Sequence, residues 1–233
     1  MAPTPVPDLR VERAHLASGS PVVLACDEVG RGALAGPVAV GMVLIDASVR
    51  RMPAGLRDSK LMTEPRREAM APRAGAWVRR WAVGEASAAE IDELGIMACL
   101  GLAGARAYAM LAEAEQVAGT EHELVGAPLL LDGNHDWLSR AIEHRAEVTT
   151  RIKADRDCAS VAAASVLAKV HRDRGMHRAH AEDPRFAWNE NKGYSSRAHF
   201  AAIAEHGPTA LHRRTWLKEP VAPAPALFDL GVG

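Results

Sequence analysis

The chain has 233 residues, 48% of them hydrophobic, and a formal net charge of −1. That is enough apolar material for a substantial core in one domain with at most a small appendage, and it excludes disorder along the whole length. Apolar runs stop at about ten residues, short of the ~20 that span a bilayer, and the opening MAPTPVPDLRVER lacks the basic start and apolar middle of a secretory signal.

The expectation is therefore a cytoplasmic protein without a membrane segment. Three cysteines, Cys26, Cys99 and Cys158, offer no close ligand pair and, being odd in number, no disulfide framework. Charge is unevenly placed: residues 151–218 carry 13 Lys/Arg against 7 Asp/Glu, and the rest carries 15 against 22. A basic third of this kind suits a polyanion as well as it suits a solvated helical surface.

In chain order, residues 1–18 read as a flexible lead-in, and 22–25 and 38–45 as two antiparallel strands joined through a glycine-rich turn. Asp27 and Glu28 stand side by side where the first strand ends. Because strand side chains alternate between faces, these two carboxylates converge only if the chain leaves the strand at about Glu28. Gly30 and Gly32 ease that departure and let backbone approach a ligand, and Arg31 between them offers a planar fork suited to phosphate. Cys26 reads as a small buried apolar residue.

Residues 58–71 suggest a helix and 77–83 a third strand. A helix then opens at Ser87 with Glu90 three residues on, the capping-box spacing, and an Ala-rich helix follows over 96–118. PLLLDGN is an apolar strand ending at Asp132, and EVTTRIKAD a further strand ending near Asp155. From 158 a long helix rich in small residues is built to pack closely on a sheet. Residues 181–219 read as a helical segment and 220–233 as a flexible Pro/Ala-rich tail. Strands first, then strands alternating with helices, give an α/β layer on a mixed sheet.

Asp27, Asp132 and Asp155 thus fall at strand ends, where α/β sheets place their sites. Each alone is an ordinary turn or cap residue. With Glu28 they make four carboxylates, hard oxygen donors that favour Mg²⁺ or Mn²⁺, and no Cys/His set with zinc spacing competes.

At this point the sequence resembles ribonuclease HII, the type 2 ribonuclease H family. The family's Asp-Glu-x-Gly-Arg-Gly stands at 27–32, its Asp-Ser-Lys at Asp58, Ser59 and Lys60, its helix EIDELGI at 90–96, and its third acid in LLLDGN at Asp132. KADRDCASVAAASVLAKVHRD resembles the segment that carries the fourth acid, at Asp155 rather than Asp157. NKGYSS supplies Tyr194, and EHGPTALHRRTW the closing segment. Leu61 in place of a second lysine, Ala154, Ala162 and Trp216 depart from the pattern without touching the acids.

The resemblance implies a ribonuclease H-like fold, with a mixed five-stranded sheet flanked by helices and a small helical C-terminal extension. It implies an endonuclease for the RNA strand of RNA/DNA hybrids that also incises 5′ of single ribonucleotides in duplex DNA. Asp27, Glu28, Asp132 and Asp155 would hold two divalent ions, Mg²⁺ or Mn²⁺. Backbone groups of Gly30, Arg31 and Gly32 would read the 2′-hydroxyl. Tyr194 would pack at the ribo–deoxyribo step, and Lys60, Lys192, Arg213 and Arg214 are the phosphate-contact candidates. Lys153 and Lys169 would pack or neutralise the site. A monomer is implied. The rivals are a DNA-acting nuclease on the same fold, a catalytically inactive hybrid-binding protein and a small-substrate phosphatase. In the tail, ALFDL at 226–230 is somewhat like short motifs that dock on sliding clamps.

Overall fold

The computed structural model describes residues 6–217. In chain order these form α1 (Arg10–Ala17), β1 (Val22–Val29), β2 (Val38–Asp46), α2 (Glu64–Trp77), β3 (Arg80–Ala86), α3 (Ala88–Leu94) and α4 (Ile96–Ala118). Then come β4 (Ala127–Asp132), β5 (Ala146–Arg151), α5 (Ala154–Asp157), α6 (Ala159–Glu182), α7 (Trp188–Asn191) and α8 (Arg197–His206). The strands make one mixed sheet in the order β3-β2-β1-β4-β5. β1, β2 and β3 are antiparallel neighbours, and β4 and β5 join in parallel on the other side of β1.

Alternation along β1 and β2 divides the core in two. Val22, Leu24, Cys26, Val40 and Met42 face α4, whereas Val23, Ala25, Val43 and Ile45 face α6. Each large side chain taken fully out of water contributes roughly 1.5–3 kcal/mol, so these two layers supply most of the drive to fold. Each helix is seated where a strand residue beneath it lacks a side chain. A Cβ on Gly41 would lie 2.5 Å from the Ala164 carbonyl oxygen of α6, and one on Gly84 would lie 2.1 Å from that of Ala103 in α4. The Ser87–Glu90 capping box forms as its spacing predicts.

The structure corrects several readings of the sequence. Residues 10–17 are not a loose lead-in but the helix α1. Its Glu12 is fully buried and accepts hydrogen bonds from Ser160 N–H (2.8 Å) and Ser160 Oγ (2.7 Å), on the amides left unpaired where α6 begins. β3 starts at Arg80, because α2 continues through Trp77. β5 stops at Arg151, and Lys153, in the left-handed region at φ 61°, turns the chain into α5, so Asp155 lies on a helical turn and not at a strand end. α4 is, by length and composition, apolar enough to cross a bilayer, which reading the runs separately missed; here its apolar side lies on β2 and β3. The segment 220–233 with its ALFDL motif lies outside the described residues.

Candidate active site

The parallel register of β1 and β4 places Cys26 opposite Leu131. The next residues on both strands are Asp27 and Asp132, on the face that α6 covers. β1 does not end at Glu28, as the sequence suggested, but runs on to Val29. Asp27 is therefore buried toward α6, and Glu28 sits half-buried at the rim, its N–H donating to Asp27 Oδ1 at 2.9 Å. Asp132 Oδ1 accepts the Ala154 N–H at 2.6 Å, which draws the first turn of α5 onto the end of β4 and brings buried Asp155 to the same place. Asp27, Asp132 and Asp155 thus lie around one end of the sheet, with Glu28 beside them at the rim, on the other face of β1.

Little positive charge meets them. Lys60, on a single 3₁₀ turn that Asp58 caps by accepting the Lys60 N–H at 2.8 Å, has Nζ 3.9 Å from Asp155 Oδ2. Arg31 Nη1 is 3.9 Å from Glu28 Oε1. Burial first, then the charges of Glu28 and Asp132, push the Asp27 carboxyl well above the usual carboxylate range, against the help of a hydrogen bond from Ser165 of α6. Burial and Asp132 likewise raise Glu28. Asp155 is pushed up to about 6 by burial, Asp132 and Asp58. Burial opposes the charge on Lys60, yet Asp27, Asp155 and Asp58 hold its pKa above that of a free lysine.

Uncompensated like charge of this kind calls for a cation. The donor set is all carboxylate oxygen, which suits a hard divalent ion. Asp58, next to Asp155, is buried as well, and Arg156 Nε stands 3.5 Å from its Oδ2, so this acid is paired within the protein. Among the described residues no three Asp, Glu, His or Cys side chains close on a common point. The acids therefore line the site without already forming a chelate.

The Gly-Arg-Gly turn beside the acids is braced from below by two buried arginines. Gly30 has φ 83°, and a Cβ there would lie 2.1 Å from Arg172 Nε, so fold alone demands this glycine. Gly32 is different: its φ is unexceptional, and a Cβ would meet nothing within 4 Å. Neither packing nor backbone strain accounts for it, and its space opens outward. Tyr194 reaches the turn, its hydroxyl accepting the Gly30 N–H at 3.2 Å, with Arg172 5.4 Å and Lys169 5.8 Å from its ring centroid.

Other residues singled out from the sequence are placed differently. Arg213 is fully buried and donates to the carbonyls of Gly30 (2.6 Å), Arg31 (2.8 Å) and Gly36 (3.1 Å), so it shapes the turn instead of facing a phosphate. Lys192 is also buried, hydrogen-bonded to the Asn189 carbonyl and paired with Glu64 at 3.2 Å. Lys169 packs inward against Asp173 at 2.6 Å, while Lys153 is exposed at its corner. Arg214 is exposed, and its N–H donates to Asp92 Oδ2 at 2.8 Å, which explains the acid in EIDELG: it moors the closing segment to α3. Much of the basic excess of 151–218 is spent in internal pairs, Arg151 with Asp157, Arg174 with Glu68 and Arg185 with Asp183 among them.

Compared with known proteins, residues 24–219 match the family model for ribonuclease HII. The chain belongs to the ribonuclease HII family. A curated ribonuclease HII from Streptomyces avermitilis is 43% identical over 211 residues, which cover 90% of this chain and 83% of that one. Among solved structures, ribonuclease H2 from Pyrococcus horikoshii superposes with a TM-score of 0.60 at 25% identity, over 84% of this chain and 93% of that one. The RNase HII in a PCNA:RNase HII complex from Archaeoglobus fulgidus gives 0.62 at 25% identity, over 86% and 98%. The mixed sheet with its flanking helices is the ribonuclease H-like fold, and the chain is a hydrolase of the ribonuclease H group.

The structure sets three further residues beside the acids and the turn, to which the sequence assigned no role: Asp58, Ser165 and Arg172. Ser165 Oγ lies 2.9 Å from Ser59 Oγ and steadies Asp27. Arg172 donates to the carbonyls of Ala35, Pro37 and Lys192. Arg172 stands four residues beyond Ala168, on the same helix face as the end of the apolar stretch ASVLA, and that spacing is the signal that could have revealed it.

Proposed function

We propose that this ribonuclease HII hydrolyses the RNA strand of RNA/DNA hybrids and incises 5′ of single ribonucleotides in duplex DNA, leaving 3′-hydroxyl and 5′-phosphate ends. The observation that carries the proposal is the meeting of Asp27 and Asp132 on adjacent strands beside a glycine turn whose second glycine opens outward. Asp27, Glu28, Asp132 and Asp155 are the residues that would hold two divalent ions, Mg²⁺ or Mn²⁺. What divalent ions held by these carboxylates would supply is Lewis-acid activation of water and charge to stabilise the leaving 3′ oxygen. Lys60 and Arg31, whose side chains are 68% and 47% exposed at the margin of the acids, approach the phosphates on either side.

Choice of RNA over DNA needs groups that meet the 2′-hydroxyl, a donor and an acceptor at once. The backbone of Gly30, Arg31 and Gly32 comes close enough for this because glycine presents no side chain, and Arg172 and Arg213 hold it rigid. Tyr194 packs at the sugar where ribonucleotide meets deoxyribonucleotide. Arg214 is a further phosphate contact. A DNA-only nuclease would have no use for such a turn. A sliding clamp is a proposed partner through ALFDL; the Archaeoglobus relative in complex with PCNA supports looking for one. Deleting the last ten residues would leave clamp pull-down unchanged if that idea is wrong.

The main test uses an end-labelled duplex with one ribonucleotide, its all-DNA twin, and protein with Mg²⁺, Mn²⁺ or chelator. Metal-dependent incision only beside the ribonucleotide is expected. Cutting of both duplexes would favour the DNA nuclease, and binding without cutting the inactive hybrid-binder.

A further inference from the structure

Behind Tyr194 lies a buried group that the chemistry above does not use. His199 and His212, both almost fully buried, pack with Phe186 and Trp188 beneath α8. Their ring nitrogens are all engaged, and the partners determine the protons. His199 Nδ1 is 2.9 Å from the main-chain carbonyl oxygen of Tyr194, which only accepts, so Nδ1 carries a proton. Its Nε2 takes the Trp188 Nε1–H at 3.2 Å and is therefore an acceptor. His212 Nδ1 accepts the Thr209 N–H at 3.0 Å, which leaves the proton on its Nε2, pointing at His199 Nε2 3.2 Å away. With both rings neutral, Trp188 and His212 share the single lone pair of His199 Nε2, and Thr209 Oγ1 lies 3.0 Å from His212 Nδ1 beside the Thr209 N–H. Burial, the largest cause for each, lowers both pKa values, that of His212 to about 4.

The chain on either side of Tyr194 is fastened separately. The Gly193 carbonyl accepts the N–H groups of Leu34 and Ala35, and Ser196 Oγ accepts the His199 N–H at 3.0 Å to start α8. Between these ties the Tyr194 carbonyl is held by His199 alone among the described hydrogen bonds. We propose that His199 is a positioning residue for Tyr194, fixing its main chain so that the phenol meets the Gly-Arg-Gly turn, and that His212 locks the tautomer in which His199 can do so. This rests on the assignment of Tyr194 to the ribonucleotide step. A misplacement of about 1 Å suffices to cost an enzyme up to ~100-fold.

The test is a double-mutant cycle on the duplex with one ribonucleotide. His199→Leu removes the donor, and His199→Asn replaces it with an amide N–H near the position of Nδ1. Each is made alone and with Tyr194→Ala, with thermal melts to confirm folding. His199→Leu is expected to lower kcat/KM roughly 10-fold or more, His199→Asn to recover most of it, and neither to cost more than about twofold once Tyr194 is Ala. Losses that multiply in the double variant would overturn the proposal, because His199 would then act elsewhere. If Tyr194→Ala alone leaves kcat/KM and ribonucleotide preference intact, the Tyr194 reading fails first and takes this inference with it.

Should His199→Leu not fold, nitrogen-15 shifts of the unaltered protein decide. Nδ1–H on His199 and Nε2–H on His212 are expected, and the opposite tautomers, or a doubly protonated ring near neutral pH, would overturn the assignment.

Discussion

Where β2 ends and β3 begins, Asp46, Glu115 and Glu123 meet Arg79 and Arg80; at the opposite end of the sheet, Asp27, Glu28, Asp132 and Asp155 are paired, among the described residues, with Lys60 and Arg31 alone. Glu115 is fully buried and bonded to Arg79 and, at 3.0 Å, to Arg80, while Arg79 also reaches Glu123 at 2.7 Å and Asp46 at 3.4 Å. Burial pushes the Glu115 carboxyl up, but Thr120, Arg80 and Arg79 more than reverse this and hold it below the ordinary range. At the other end nothing reverses it, and three carboxyls stand high. Burial of acid is thus common to both ends. What separates a structural cluster from a candidate metal site is whether the protein supplies the counter-charge itself.

Substitutions at the two ends should therefore fail in opposite ways. Asp132→Asn or Asp27→Asn is expected to cut incision at least ~10³-fold while the fold and hybrid binding survive, because on the proposed function a metal-holding carboxylate is removed and no buried partner is stranded. Single-turnover assays beside a binding titration check this, and loss of fold would reclassify the acids as structural. Glu115→Ala is expected to destabilise by about 1–3 kcal/mol through the lost buried carboxylate and its hydrogen bonds to Arg80 and Thr120, leaving kcat per folded molecule unchanged. Denaturant melts with active-site titration would expose any catalytic role.

Gly32→Ala should fold normally and yet lose roughly 10-fold or more in kcat/KM on the single-ribonucleotide duplex, as a lost close approach would. Gly30→Ala should instead lose stability, since its backbone and Arg172 both forbid the methyl. Equal melting temperatures for the two would remove the distinction drawn between them.

The smallest effect concerns pH. In the metal-free protein Asp155 binds its proton more tightly folded than unfolded, so its contribution to stability is complete below the usual carboxylate value of 3.8 and is lost as pH rises through about 6. Asp155→Asn in chelator should accordingly stabilise by about 1–2 kcal/mol at alkaline pH, and the difference should vanish in acid. A difference constant with pH would show that Asp155 is not strained by its neighbours. With metal present the same protonation competes with the ion, so incision should weaken as pH falls toward about 6.

Much of this was legible in the sequence because it is local. The spacing of Ser87 and Glu90 specifies a cap, the apolar run before Asp132 specifies a strand end, and small residues from 158 onward specify a helix that packs tightly. What escaped was set by partners far along the chain. Nothing near Arg213 reveals that it turns inward to carbonyls 177 or more positions away, and nothing near Glu12 reveals the waiting amide of Ser160. Charge read from a list is sign without direction. The structure divides it into groups that hold the protein together and groups left facing out.

The close seating of α6 on Gly41 has a mechanical side. Ala164, whose carbonyl rests where a side chain on Gly41 would be, is the immediate neighbour of Ser165, the hydroxyl at Asp27. The thickness of a missing methyl group thus acts as a gauge block between sheet and helix, and it sets the depth at which the first acid sits. A substitution there would be registered at the reacting end of the molecule as a change of alignment, because Gly41 is also the residue that pairs with Asp27 across β1 and β2.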